Sequence, residues 1–88
     1  MSQFGFLEDI GTDWVDTSDD LSFTDAKSYI VQNRGSGVLL LQESSAEPTD
    51  DAGLVLPIYE TYKYTNETGV KLWVKALSGT CAMNVVEA

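Results

Sequence analysis

The chain has no histidine and one cysteine, Cys81, and these two shortages exclude several classes of site. A Ser-His-Asp or Cys-His nucleophile requires histidine, and a zinc site requires several cysteine or histidine ligands. No disulfide can form within the chain, because there is no second thiol. We therefore expect no enzyme activity and no cofactor, and we expect Cys81 to be a small core residue beside Met83 and Val85.

Basic residues are also scarce, with five lysines and arginines against 14 acidic residues and a net charge of -9. Seven of the acidic residues precede the first basic one, Lys27. Contact with nucleic acid phosphates or an anionic membrane is therefore disfavoured. A solvated acidic surface is the preferred interpretation, and a basic partner or a metal ion is the alternative. Calcium is the weaker alternative, because its candidate ligands lack EF-hand spacing and glycine; these are Asp13, Asp16, Asp19 and Asp20.

Long apolar runs are absent, since the longest aliphatic stretch covers only residues 38–41. That is far shorter than the roughly 20 residues of a membrane-spanning helix. Residues 1–10 lack the basic start of a secretory signal and contain Glu8 and Asp9. At 88 residues the chain is expected to be one domain, made in the cytoplasm, with an extended N-terminal arm at 1–12 and a single β-domain at 13–88.

The residues that are present favour β-strands. Residues 28–43 predict two strands joined as a hairpin, with Gly35 and Gly37 in the turn. Residues 38–41 do not alternate with polar residues, so both faces of that strand are expected to be covered. Six to eight short strands separated by turn residues predict an all-β fold, a small antiparallel β-sandwich or jelly-roll-like barrel, with almost no helix.

Aromatic residues supply the candidate contacts. Alternation over residues 70–76 points Val70, Leu72, Val74 and Ala76 inward. It points Trp73 outward between two lysines, where it would cover lysine stems, support a second layer or anchor an interface. The apolar start of the arm would pack on its own domain or reach a neighbouring subunit. The possible interface residues are Phe4, Phe6, Leu7, Trp14, Tyr62, Tyr64 and Trp73.

The order of motifs along the chain resembles small virion proteins of tailed bacteriophages and prophages. The segments that carry the resemblance are Asp13-Trp14, residues 29–36 (YIVQNRGS), 41–48 (LQESSAEP), 71–79 (KLWVKALSG) and the end of the chain, 85–88 (VVEA). The resemblance implies a head decoration or cement protein, or a small tail or fibre component, with no enzyme activity. It also implies a homotrimer on the virion that contacts the major capsid protein or another virion component.

Two alternatives remain at this point. A small acidic protein can inhibit a nucleic-acid enzyme by imitating the charge of DNA, although here the carboxylates cluster near the N-terminus. A β-sandwich can also bind carbohydrate, and this interpretation requires Tyr62, Tyr64 and Trp73 to share one exposed surface.

Overall fold

The computed structural model describes residues 2–88, which form eight β-strands and one short 3₁₀ turn at Thr17–Asp19. The strands are β1 (Gln3–Ile10), β2 (Val15–Asp16), β3 (Ser28–Asn33), β4 (Leu39–Ser44), β5 (Leu54–Leu56), β6 (Thr61–Thr65), β7 (Lys71–Ala76) and β8 (Cys81–Glu87). No helix within this part of the chain has the length and apolar character needed to span a bilayer.

The strands form two antiparallel four-stranded sheets that pack face to face. The first sheet has the order β1-β8-β3-β6 and the second has the order β2-β7-β4-β5. Only β4 and β5 are neighbours both in sequence and in a sheet, and every other connection crosses between the sheets. This is the strand order of a jelly roll. The all-β sandwich predicted from the sequence is therefore confirmed.

The hairpin predicted over residues 28–43 is wrong, although both of its strands exist. Strand β3 pairs with β6 and β8, whereas β4 pairs with β5 and β7. Residues 34–38 therefore carry the chain from one sheet to the other, as an arch and not as a hairpin turn. The alternation of a strand shows which residues share a face, but it does not show which strand is its partner.

Asn33 and Gly35 explain why the chain crosses between the sheets here. The buried Asn33 amide donates to the carbonyl oxygens of Gly37 and Leu56, at 2.7 and 2.9 Å, and its Oδ1 accepts from the Gly35 N–H at 2.9 Å. A Cβ on Gly35 would lie 2.5 Å from the backbone nitrogen of Ala82. Gly35 is therefore required because a side chain would not fit between it and β8. It does not adopt the left-handed backbone conformation for which glycine is needed in a hairpin turn.

The inner faces of the sheets form one core. Leu72, Val74 and Ala76 point inward from β7, and Cys81 is buried with Met83 and Val85 on β8, as predicted. Rings at one end of the core pack closely, with centroid distances of 4.7 to 5.4 Å. These rings belong to Phe4, Phe23, Tyr29 and Tyr64.

The segment predicted as an arm is strand β1 over Gln3–Ile10, at the edge of the first sheet. Its pairing with β8 is interrupted by two register shifts, one between Gln3 and Gly5 and one between Leu7 and Ile10. The first shift places an extra residue, Phe4, in the strand. A bulge of this kind breaks the two-residue alternation, so Phe4 packs on the core while Phe6 stays exposed.

Candidate interaction surfaces

Three of the predicted interface residues lie inside the domain. The Phe4 ring packs 4.7 Å from the Tyr29 ring, and the side chains of Leu7 and Tyr64 are buried in the core. Phe6 is the exposed apolar side chain of the segment predicted as an arm, with 47 % of its surface accessible. Most of the apolar N-terminal segment thus packs on its own domain, and Phe6 alone of the three residues Phe4, Phe6 and Leu7 is free for a partner.

Trp73 is not exposed, contrary to the prediction from alternation. It does lie on the outer face of the second sheet, but only 9 % of its surface is accessible and its Nε1 donates to the Ser44 carbonyl at 3.0 Å. Leu40, on the same outer face, is 3 % accessible. Both faces of β4 are therefore covered, as its uninterrupted apolar run predicted.

The loop over residues 45–53 lies against this outer face. The Trp14 Nε1 donates to the Asp50 carbonyl at 2.9 Å, Lys75 forms an ion pair with Asp51, and Pro48 is buried. The Lys75 ammonium also lies 5.4 Å from the centre of the Trp14 ring. Trp14 is thus half-buried because it holds the loop against the sheet. The neighbouring residues in the sequence do not predict this contact.

Tyr62 joins the two sheets at the edge formed by β5 and β6. Its hydroxyl donates to Glu43 on β4, and this hydrogen bond, followed by burial and the Glu43 charge, raises the pKa of Tyr62 to about 12. The Tyr64 hydroxyl donates to Asn66 Oδ1 at 2.7 Å. Burial, together with nearby carboxylates, raises the pKa of Tyr64 to about 12 as well.

The aromatic platform required for carbohydrate binding is not formed. Tyr64 is 1 % accessible on the inner face of the first sheet, whereas Trp73 lies on the outer face of the second. Tyr62 is packed against the core between them. The three side chains consequently do not share an exposed surface.

The four aspartates considered for calcium are not gathered into a site. Within residues 2–88, no three His, Cys, Asp or Glu side chains come together as metal ligands. Asp16 instead caps the 3₁₀ turn by accepting from the Ser18 N–H at 2.9 Å and pairs with Lys71 at 3.0 Å. Burial pushes the pKa of Asp16 up, but these bonds together outweigh burial and leave the pKa lowered.

An apolar strip, which we call the edge strip, runs along the β5 side of the sandwich. It consists of Leu54, Val55, Ile58 and Tyr59, whose accessible fractions lie between 43 and 63 %. Four large apolar side chains are thus exposed within six consecutive residues, with Leu54 on the side of the inward Leu41 and Val55 on the side of the outward Leu40. Exposed apolar residues concentrated at one sheet edge mark a candidate interaction site. The pattern of residues along the chain does not show that β5 lies at a sheet edge.

Tyr59 is held outward by a backbone that its residue type rarely adopts. Its φ is 66°, in the left-handed region, and its N–H donates to the Asn33 carbonyl at 2.7 Å. The Tyr59 carbonyl accepts from Gln32 Nε2 at 2.9 Å. Strain of this kind persists where the surrounding bonds fix it, and it is common at functional positions.

Beside the edge strip, the gap between the sheets opens into an apolar cleft of about 250 Å³. Its walls include Leu41 and Leu72 from the core, Leu54 from the strip, and Tyr62 with its partner Glu43. Sites for drug-sized ligands measure about 300 to 1,000 Å³, so this cleft is better matched to a single side chain than to a cofactor.

Comparison with known proteins returns no matching family model, no matching characterised protein and no matching solved structure. The residues and their geometry therefore carry the functional argument.

Proposed function

We propose that this chain is a non-enzymatic structural protein of a tailed-phage particle, a head decoration protein that binds the capsid shell through the edge strip. The edge strip is the observation that carries the proposal, because it exposes apolar surface beside an open sheet edge. The jelly-roll strand order supports it as an analogy, since viral capsid domains commonly use this order, although lectins and cupins use it too.

In this mechanism the chain works by burying surface. Each copy would cover Leu54, Val55, Ile58 and Tyr59 against the shell, and burial of apolar surface contributes about 25 cal/mol per Å². One contact of this size is modest, but a shell offers many equivalent positions. The added contacts between shell subunits would strengthen the capsid against the pressure of packaged DNA.

Particle composition is the first test. Gradient-purified particles of the phage or prophage that encodes the chain should contain it in fixed proportion to the major capsid protein, as measured by quantitative mass spectrometry. Particles made without the gene should release DNA at a lower temperature, and added purified chain should restore the temperature. Particles that never contain the chain would refute the proposal.

Strip variants then test the contact itself. Val55→Thr combined with Ile58→Thr keeps β-branched side chains of similar shape but removes exposed apolar surface. We expect the double variant to fold normally and to lose binding to particles made without the gene. Leu77→Thr is the matched control, because Leu77 is 56 % accessible, as Val55 is, but lies outside the strip.

The inhibitor that imitates DNA charge is the second candidate, and the net charge of -9 is its support. Salt separates the two mechanisms. Binding of a charge mimic to a nucleic-acid enzyme should be abolished at 1 M salt, where the Debye length is about 3 Å, whereas an apolar contact with a particle should persist.

A further inference from the structure

The outer face of the first sheet is almost free of charge, although the chain carries 14 acidic residues. Its central strands, β3 and β8, present uncharged side chains that are half-buried by their neighbours. These are Ser28, Ile30, Gln32, Ala82, Asn84 and Val86. The charged groups near this face lie on its edge strands: Lys63 of β6 pairs with Ile30, and Glu8 and Asp9 lie close to Ala82 where the pairing of β1 is irregular.

The two outer faces of the sandwich differ in this respect. The second sheet carries Asp16, Lys71 and Lys75 on its outer face, and the chain covers it with its own loop. Side-chain hydrogen bonds on the first sheet connect neighbouring strands, such as Gln3 Nε2 to Asn84 Oδ1 at 2.6 Å. The first sheet is therefore the broad face that remains available to another molecule.

Charge indicates which molecule fits this face. A basic partner would be attracted to the acidic surfaces, which lie elsewhere on the molecule. A second copy, also at -9, would be repelled from every surface except one that lacks carboxylates. The centre of an interface is typically depleted of charged residues, as this face is.

The polar groups on the face are also suited to contact with themselves. Gln32, Asn84 and Ser28 carry amides and a hydroxyl, and each of these groups both donates and accepts hydrogen bonds. These groups can therefore pair with uncharged polar groups of a second copy, whichever of them the twofold axis brings together. Carboxylates or ammonium groups facing their own copies would repel each other instead.

The strand lengths set the size of this face. Its four strands are five to eight residues long, so the sheet spans about 19 Å across the strands and about 17 to 26 Å along them. A contact through this face lies at the small end of stable interfaces, so we expect the association to depend on concentration.

We propose that two copies of this chain associate through the outer faces of their β1-β8-β3-β6 sheets. Two identical patches that meet form a twofold contact, so the expected species is a dimer. This contact is separate from the edge strip, and it does not depend on the chain being a particle component.

Light scattering after size exclusion, with chain at about 10 to 200 μM, tests the proposal on purified protein. Wild type should be a dimer at the upper concentrations. Asn84→Asp keeps the acceptor for Gln3 but places a carboxylate at the centre of the contact, and it should weaken association at least about tenfold.

Gln42→Glu is the matched control, because it adds the same charge on the outer face of the second sheet and should leave the dimer intact. Circular dichroism checks that each variant is folded. If Asn84→Asp does not fold, Lys63→Glu on the exposed edge of the same face should also weaken the dimer. A monomeric wild type, a trimer, or a dimer unaffected by both variants would overturn the proposal, and none of these results alters the particle tests.

Discussion

The Tyr62 hydroxyl on β6 donates to the Glu43 carboxylate on β4 and so connects the two sheets across the open side of the sandwich. The bond lies beside the apolar cleft, whose walls include Leu41 and Leu72 of the core. Loss of the Tyr62 proton would remove the donor and place two negative charges beside each other.

Alkaline pH should therefore destabilise the domain. The folded pKa of Tyr62 is about 12, above the usual 10, so its contribution to stability is complete below pH 10 and is lost as the pH rises toward 12. Tyr64 adds a loss in the same window. Urea unfolding between pH 8 and 11.5 should show a falling free energy of unfolding.

Tyr62→Phe separates the contributions of Tyr62 and Tyr64 to the loss of stability at alkaline pH. At pH 7 it should cost about 0.5 to 1.5 kcal/mol, because one hydrogen bond is lost while Glu43 stays hydrated. Above pH 10 the variant should lose less stability than wild type does. Parallel curves for the two proteins would show that the Glu43 bond does not control this titration.

Asn33→Ala should be among the most damaging polar substitutions in the chain. Asn33 is fully buried and its amide serves Gly35, Gly37 and Leu56, so truncation leaves buried groups without partners, at about 1 to 3 kcal/mol for each group. Thermal and urea unfolding measure the effect. Asn84→Ala, at a half-exposed position, should cost much less, and equal losses would contradict this account of the arch.

Tyr59→Gly should raise stability and lower particle binding. Glycine adopts a φ of 66° without the cost of about 1 to 2 kcal/mol that a side chain incurs there, while the change removes the most exposed member of the edge strip. Ala26→Gly, at a φ of 64°, is the control and should raise stability without any effect on binding. A Tyr59 variant that binds particles normally would remove Tyr59 from the contact.

Periodicity was sufficient to predict the fold class, because the inward residues of β7 and β8 alternate regularly. It was insufficient for Trp73, because alternation shows the direction of a side chain but does not show that a loop distant in sequence covers it. Phe4 and Phe6 were assigned to the same environment because a bulge leaves no mark in the spacing of apolar residues. Pairing was mispredicted at the arch, since Gly35 serves a close approach to β8 that depends on the tertiary structure.

Pro57 bears on whether this chain forms fibrils. The Leu77 N–H donates to the Val38 carbonyl at 3.0 Å, so Leu40, two residues further along β4, also directs its backbone N–H and C=O toward β7. Val55 lies opposite Leu40 on β5, and its backbone N–H and C=O therefore point toward the open edge. The next edge-facing residue is Pro57, which has no N–H and whose carbonyl accepts from Glu60. An incoming strand would therefore lose its backbone partners beyond Val55 on the Pro57 side, which limits pairing of further chains along this uncharged apolar edge.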